Sequence, residues 1–375
     1  MIYLDNAATT FPKPKCVRDA IDLCISTYCG NPGRSGHTLS LRAAEEIYNC
    51  RVVLAQLFDG DPSHVVFTFN TTYALNLAIK SLYLPHSEIL ISDMEHNAVL
   101  RPVHQLFLQG QIKYRTFHLH ESAEETVGEL KKTITKSTKM LVCTHASNIC
   151  GHVYPIAAIG AFCRAHGITF VVDAAQSAGI CHISIRDMQI DALCAPAHKG
   201  LYGPQGLGFV IFGENAKPLR TLVQGGTGSR SAERTMGDDL PDSFEAGTLS
   251  TPLIAGLHAA VKWIGGIGIE QISAHEIRLA DHIRARLSCL AGSRFFGEGP
   301  QQSGVLLYTN EHLSLARLTE ALDARDVCIR SGLHCAPLAH KTLGTPGGGA
   351  LRISLGYFNT VGECDAFCST VEDLN

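Results

Sequence analysis

The chain has 375 residues, which exceeds the size of one ordinary domain, so we expect about two domains. Hydrophobic residues make up 45% and charged residues 18%, a composition typical of a globular protein with a large core. A formal charge of −4 gives the chain no general attraction for nucleic acid or for an anionic membrane surface.

Nothing in the sequence suggests membrane insertion, secretion or a metal site. The first ten residues, MIYLDNAATT, lack the basic and apolar regions of a secretion signal. The most apolar long stretch, 254–269, is interrupted by His258 and Lys262. The 14 cysteines are scattered without a CxxC pair, so we predict reduced thiols and no metal. We therefore expect a cytoplasmic protein.

In the first two thirds of the chain, short β-branched runs alternate with stretches of helical periodicity. The runs are continuously apolar, as in strands of a parallel sheet that helices cover on both faces. The predicted strands are 64–69, 88–92, 139–145, 168–175, 191–195 and 208–212. The predicted helices between them include 41–58, 73–82 and 155–167. This order indicates a doubly wound α/β domain.

The remainder of the chain predicts a long loop and a second domain. The stretch 222–252 is rich in Gly, Ser and Asp, and a loop of this length is usually functional. Helices are predicted near 252–264 and 270–291, followed by strands at 304–308 and 350–355. We predict a large domain, 16–264, and a smaller α+β domain formed by 265–375 together with 1–15.

Three local motifs lie where strands end. Lys199, in APAHKGLYGPQGLGF, follows a strand and precedes glycines, and a desolvated lysine there can form a Schiff base. Asp173, in FVVDAAQSAG, ends the preceding strand, so one strand–helix–strand connection places both residues on the same edge of the sheet. In FNTTYALNLAIK, 69–80, two threonines at a helix start form a candidate phosphate site.

An aspartate, a lysine and a phosphate site on one edge of a sheet are what pyridoxal phosphate requires. At these motifs the sequence resembles the class V, fold type I, pyridoxal-phosphate enzymes, and in particular the cysteine desulfurases with a short catalytic-cysteine segment. The resemblance spans nearly the whole chain and includes the segments YLDNAATT, NPGRSGHTLS, SDMEHNAV, THASNICG, VVDAAQSAG, HKGLYGPQG, FEAGT, RSGLHCA and LRISLGYFNT. It implies a large domain with a mainly parallel, seven-stranded sheet and a smaller α+β C-terminal domain.

The resemblance implies which residues bind the cofactor. Lys199 would form a Schiff base with the cofactor and later carry the α-proton of the substrate. Asp173 would pair with the pyridinium nitrogen, Gln176 would hydrogen-bond the phenolic oxygen, and His96 would stack on the ring and serve the chemistry. The implied phosphate ligands are Thr71, Thr72, His198 and, from a second subunit, Thr248.

The resemblance also implies the substrate, L-cysteine, and the nucleophile, Cys335. The implied substrate-binding residues are Arg352, Asn148 and His37. Cys335 would take the sulfur as a persulfide, release L-alanine and pass the sulfur to an acceptor protein, in a homodimer. We expect Arg330 and His334 to make its surroundings electropositive.

The chain departs from the family pattern at two points. Members of this group commonly have Ser-x-His-Lys at the lysine, whereas this chain has Pro196-Ala197-His198-Lys199. Members also often have two histidines before the cysteine, whereas here Leu333 replaces the first.

Other functions stay open at this stage. The chain resembles selenocysteine lyases of the same group, and another class V aminotransferase or lyase would leave Cys335 unused. A degenerate relative that only binds a partner is a further alternative. A thiol hydrolase or metal protein built on His334, Cys335 and His340 lacks the CxxC or HExxH spacing of such sites.

Overall fold

The computed structural model describes residues 1–33, 36–229, 232–297 and 302–375. Residues 34 and 35 of the NPGRSGHTLS segment and residues 230 and 231 of the predicted loop lie outside the described residues. The strands are β1 (Ile2–Tyr3), β2 (Val65–Thr68), β3 (Glu88–Ser92), β4 (Lys113–Phe117), β5 (Thr138–Thr144), β6 (Thr169–Asp173), β7 (Ala192–Pro196), β8 (Gly208–Phe212), β9 (Ser293–Phe296), β10 (Val305–Asn310), β11 (Val327–Cys328), β12 (Arg330–Gly332) and β13 (Ala350–Ser354).

The α-helices are α1 (Lys15–Thr27), α2 (Thr38–Phe58), α3 (Thr71–Leu82), α4 (Asn97–Leu108), α5 (Ala123–Thr133), α6 (Ile156–His166), α7 (Thr251–Ile267), α8 (Ile269–Leu287), α9 (Leu315–Asp323), α10 (Pro337–Thr342) and α11 (Val361–Leu374). Among the described residues no single helix is long and apolar enough to cross a membrane. Only α7 and α8 taken together pass that test of length and composition, and they are bent by 79°.

A seven-stranded sheet forms the centre of the molecule, in the order β2-β8-β7-β6-β5-β3-β4. β8 runs antiparallel to both of its neighbours, and all the other neighbouring pairs are parallel. The predicted α/β class with a mainly parallel seven-stranded sheet is therefore confirmed. β4, the edge strand KYRTF, was not predicted, because three of its five residues are exposed and polar.

The central strands are buried on both faces, as their continuous apolar sequences require. Phe170 and Val172 of β6 pack into one hydrophobic cluster, whereas Val171 packs into the cluster on the opposite face. All three side chains are fully buried, and each such side chain stabilises the fold by about 1.5–3 kcal/mol. The loops at the carboxyl ends of these strands are thereby held in fixed positions.

A four-stranded antiparallel sheet, β12-β13-β10-β9, lies in the C-terminal part of the chain. The N-terminal segment packs against this part of the chain: β1 pairs with β11 in a separate two-stranded sheet, and Leu4 is buried in the same cluster as Leu279 and Phe367. The division into a small domain of 265–375 with 1–15 and a large domain of 16–264 stays a prediction.

The described residues of the predicted long loop contain little regular structure before α7 begins at Thr251, apart from one turn of 3₁₀ helix at Asp242–Phe244. A buried ion pair fixes its C-terminal end: Arg51 Nη2 lies 2.6 Å from Glu245 Oε2, and the Phe67 N–H donates to Glu245 Oε1 at 2.5 Å. Both charged side chains are less than one tenth exposed, so each would be costly to bury without the other. Thr248 lies three residues after Glu245, the residue that this ion pair holds in place.

Candidate active site

A cavity of about 100 Å³ lies where the parallel strands of the large sheet end. Asp173 is the last residue of β6, and Lys199 follows β7 by three residues. Eight of the predicted site residues line this cavity: Thr71, Thr72, His96, Asn148, Asp173, Gln176, His198 and Lys199.

Lys199 and Asp173 are held in surroundings that disfavour their charges. The pKa of Lys199 is lowered to about 8, chiefly by burial and also by the charges of Arg352 and Arg330, against the opposing charge of Asp173. Burial also raises the pKa of Asp173, against the hydrogen bond from the Ala175 N–H and the charge of Lys199. A lysine with a pKa of about 8 carries a substantial fraction of uncharged, nucleophilic amine near neutral pH.

The start of α3 forms an anion site at one end of the cavity. The Asn70 side chain caps the helix by accepting from the Tyr73 N–H at 2.9 Å. A Cβ on Gly208 would lie 2.6 Å from the Asn70 carbonyl carbon, so a glycine is needed for this close approach. Among the described residues, the buried Thr71 Oγ1 and His198 Nδ1 have no hydrogen-bond partner. Two unpaired polar atoms at a helix N-terminus suit a phosphate group.

His96 caps α4 and lies on the cavity wall as a neutral imidazole. Its Nδ1 accepts from the Ala98 N–H at 3.0 Å, which places the ring proton on Nε2. Burial lowers its pKa to about 4, and the charges of Lys199 and Arg330 act in the same direction. The preceding Glu95 is fully buried, accepts from the Thr144 N–H at 2.7 Å, and has its pKa raised to about 8 by burial. The sequence analysis did not identify Glu95.

Arg352 is buried and already paired. Its Nη2 lies 2.6 Å from Asp5 Oδ1, its Nη1 donates to the Asn148 carbonyl at 3.2 Å, and its Nε has no partner among the described residues. Asp5 is a site residue that the sequence analysis missed. The N-terminal segment also contacts the cavity lining, since Gln176 Nε2 donates to the Ala7 carbonyl at 3.0 Å.

Cys335 lies beside the cavity on the turn between β12 and α10. It is one of the exposed free cysteines, and its carbonyl accepts from the Asn97 N–H, next to His96, at 2.7 Å. Arg330 Nη2 lies 3.8 Å from its Sγ, as expected of an electropositive setting. The same expectation for His334 is wrong, because that ring is buried and burial lowers its pKa to about 3.

Two predicted site residues lie away from this cavity within the chain. Thr248 is exposed and lines a separate cavity of about 230 Å³ together with Tyr48 and Arg51. His37 is the N-cap of α2, where its Nδ1 accepts from the Ser40 N–H at 3.2 Å. Among the described residues, no group of three or more His, Cys, Asp or Glu side chains is arranged to hold a metal ion.

A model of the aminotransferase class-V family matches residues 2–367. The chain belongs to this family. A probable cysteine desulfurase of Methanothermobacter thermautotrophicus is 30% identical over 100% of this chain and 94% of its own length. A probable cysteine desulfurase of Xylella fastidiosa is 34% identical over 99% of this chain and 90% of its own length.

Solved structures agree with this assignment. A cysteine desulfurase from Thermococcus onnurineus has a TM-score of 0.88 and 28% identity, covering 100% of this chain and 94% of its own. The cysteine desulfurase CsdA from Escherichia coli has a TM-score of 0.88 and 27% identity, covering 99% and 94%. The predicted family and the fold type I architecture are confirmed.

We expect the Asp173→Asn substitution to lower the pKa of Lys199 below about 8, because it removes the negative charge that favours the ammonium form. The pH dependence of Lys199 modification by an amine-selective reagent, followed by mass spectrometry on cofactor-free protein, measures this shift. Asp191→Asn, at the opposite end of the neighbouring strand, is the control and leaves the midpoint unchanged. A midpoint that rises or stays constant in Asp173→Asn would contradict this electrostatic description.

Proposed function

We infer that this chain is a cysteine desulfurase that converts L-cysteine to L-alanine and takes the sulfur onto Cys335. The observation that carries this inference is the position of the exposed Cys335 thiol, whose backbone is hydrogen-bonded to α4 beside His96 and the Lys199 cavity. The names of the relatives agree with it.

The residues of the cavity fit pyridoxal phosphate as the cofactor. The unpaired Thr71 hydroxyl and His198 nitrogen at the start of α3 suit its phosphate, together with Thr72. The buried Asp173 suits its pyridinium nitrogen, and Lys199 suits its aldehyde. When bound, pyridoxal phosphate supplies an electron sink that acidifies the α-proton of an amino acid.

The residues of the chain supply the proton transfer and the binding of cofactor and substrate. Lys199 removes the α-proton of L-cysteine and returns it, a type of acid–base catalysis worth about 10² to 10⁴ in rate. His96 and Gln176, which line the same cavity, would hold the ring and the phenolic oxygen of the cofactor. Arg352 and Asn148 bind the substrate carboxylate; for Arg352 this requires its free Nε or an exchange of Asp5 for the substrate. A substrate-binding role for His37, the N-cap of α2, stays a prediction.

The sulfur transfer is a displacement at the sulfur atom of the substrate. The Cys335 thiolate attacks that sulfur, so that an S–S bond forms and the C–S bond breaks. The electron pair of the broken bond stays with the substrate carbon, which gains a proton and leaves as L-alanine. The Arg330 guanidinium, 3.8 Å from the Cys335 Sγ, places a positive charge beside the attacking sulfur. The exposure of Cys335 supports onward transfer of the sulfur to an acceptor protein. A cytoplasmic location of the protein stays a prediction.

We expect Cys335→Ser to abolish sulfide release from L-cysteine in the presence of a reductant, because serine oxygen cannot take up the sulfur. The visible absorption of lysine-bound pyridoxal phosphate is retained, since Cys335 does not hold the cofactor. Sulfide and alanine assays measure the loss, and Cys289→Ser, which changes another exposed thiol, is the control. Equal activity of Cys335→Ser and wild type would instead favour a class V enzyme that leaves Cys335 unused. A wild type that acts on selenocysteine but not on cysteine would favour the lyase alternative.

We also propose a homodimer in which Thr248 of the partner subunit binds the phosphate. Thr248 is exposed and lies outside the Lys199 cavity of its own chain. Its cavity is shared with Tyr48, which is 60% exposed on α2, and Leu41 on the same helix is 59% exposed. Exposed apolar side chains of this size are typical of an interface between subunits.

We expect Thr248→Val to weaken pyridoxal phosphate binding about ten- to hundredfold, because a hydrogen bond to a charged group contributes about 1.5–3 kcal/mol. A heterodimer of Thr248→Val and Lys199→Ala subunits is expected to keep one site of wild-type affinity. That site combines Lys199 of one chain with the unchanged Thr248 of the other. Spectroscopic titration with the cofactor measures both affinities. Weakened binding in the heterodimer would place Thr248 in the site of its own chain.

A further inference from the structure

The turn that carries Cys335 is held in an unfavourable backbone conformation. Gly332, His334 and Cys335 have φ angles of 102°, 50° and 56°, so two consecutive non-glycine residues lie in the left-handed region. A non-glycine residue in this region is energetically unfavourable and persists only where the surroundings fix it. One of the fixing contacts comes from the cavity lining, where Asn148 Nδ2 donates to the His334 carbonyl at 2.9 Å. Another comes from the start of α4, where the Asn97 N–H donates to the Cys335 carbonyl.

A third set of contacts holds the His334 side chain beneath the turn. Its Nε2 lies 3.3 Å from the Arg330 carbonyl, and its Nδ1 lies 3.2 Å from Nε2 of His340. The two rings stack with centroids 5.4 Å apart and planes 16° from parallel. His340 Nδ1 lies in turn 2.8 Å from Thr345 Oγ1, and both histidines are 3% exposed.

One arrangement of protons satisfies this row of atoms with both rings neutral. The Arg330 carbonyl only accepts, so His334 Nε2 carries a proton and His334 Nδ1 is an acceptor. His340 Nε2 therefore donates to His334, and His340 Nδ1 accepts from the Thr345 hydroxyl. The donor or acceptor role of each ring nitrogen in this row is thus set by its neighbour. The hydrogen bond from His340 to His334 joins α10 to the turn.

The position of α10 is fixed independently of the histidines. Thr342 Oγ1, at the end of α10, donates to Asp93 Oδ2 at 3.0 Å, and Asp93 lies in the segment between β3 and α4 that also contains His96. α10 is therefore attached to the segment that borders the cavity. From α10, the His340 ring contacts His334, which belongs to the turn that carries Cys335.

We propose that His340 is a positioning residue for Cys335, acting through the ring of His334. His340 touches neither the thiol nor the cavity lining. It keeps His334 in the one orientation that supports the left-handed turn, and thereby keeps the thiol at its place beside His96. The proposal rests on the proposed function, because it takes Cys335 as the nucleophile.

We expect His340→Ala to lower kcat for sulfide release about tenfold or more with KM within about twofold of wild type, since small misplacements of a reacting group are costly and the substrate contacts remain. His340→Gln keeps a donor at the position of Nε2 and is expected to recover most of kcat. Thr345→Val, a milder change that removes one hydroxyl, gives an intermediate loss. Lys341→Ala, an exposed neighbour on α10, is the matched control and resembles wild type.

Hydrogen exchange of the pyridoxal-phosphate-loaded enzyme provides a reading that does not depend on turnover. In His340→Ala we expect faster exchange in 330–336 and at Asn97, with the central strands unchanged. Exchange that rises everywhere would mean a general loss of stability and would overturn the proposal. So would a kcat equal to that of Lys341→Ala, or a failure of His340→Gln to recover activity. If the wild type produces no sulfide, the proposed function fails, whereas the exchange result still tests the link from His340 to the turn.

Discussion

The structure depends on keeping Lys199 and Asp173 out of water at one edge of a parallel sheet. Burial opposes the charged form of both groups, and the attraction between them offsets part of that cost. Only a rigid scaffold maintains such an arrangement, and the fully buried strands β6 and β7 provide it. The result is an amine that is reactive near neutral pH beside a carboxylate suited to a pyridinium nitrogen.

Residues near both ends of the chain contact the cavity at the edge of the large sheet. Asp5 pairs with Arg352, and Ala7 accepts from Gln176, so the first residues contact both Arg352 and the cavity lining. The C-terminal part contributes Cys335, the proposed nucleophile, on a strained turn whose carbonyls are bound by Asn148 and Asn97. Because these contacts join distant segments of the chain, the position of the thiol is coupled to the proposed cofactor site.

The sequence predicted those features that follow from local patterns. Continuous apolar runs identified the buried parallel strands, and polar residues at their ends identified Asp173 and Lys199. The edge strand β4 was missed because its exposed polar residues lack that pattern. The antiparallel direction of β8 could not be predicted, because an apolar strand sequence is the same for either direction. Asp5 was missed because its partner lies 347 positions away, and the burial of His334 depends on packing against α10.

The central claim is that sulfur passes from L-cysteine to Cys335. The most direct measurement is mass spectrometry of the pyridoxal-phosphate-loaded enzyme after one equivalent of L-cysteine without a reductant, with alanine quantified in the same sample. We predict one additional sulfur atom on the peptide that contains Cys335, and alanine in equal amount. An unmodified Cys335 peptide alongside a full equivalent of alanine or of a keto acid would contradict the account.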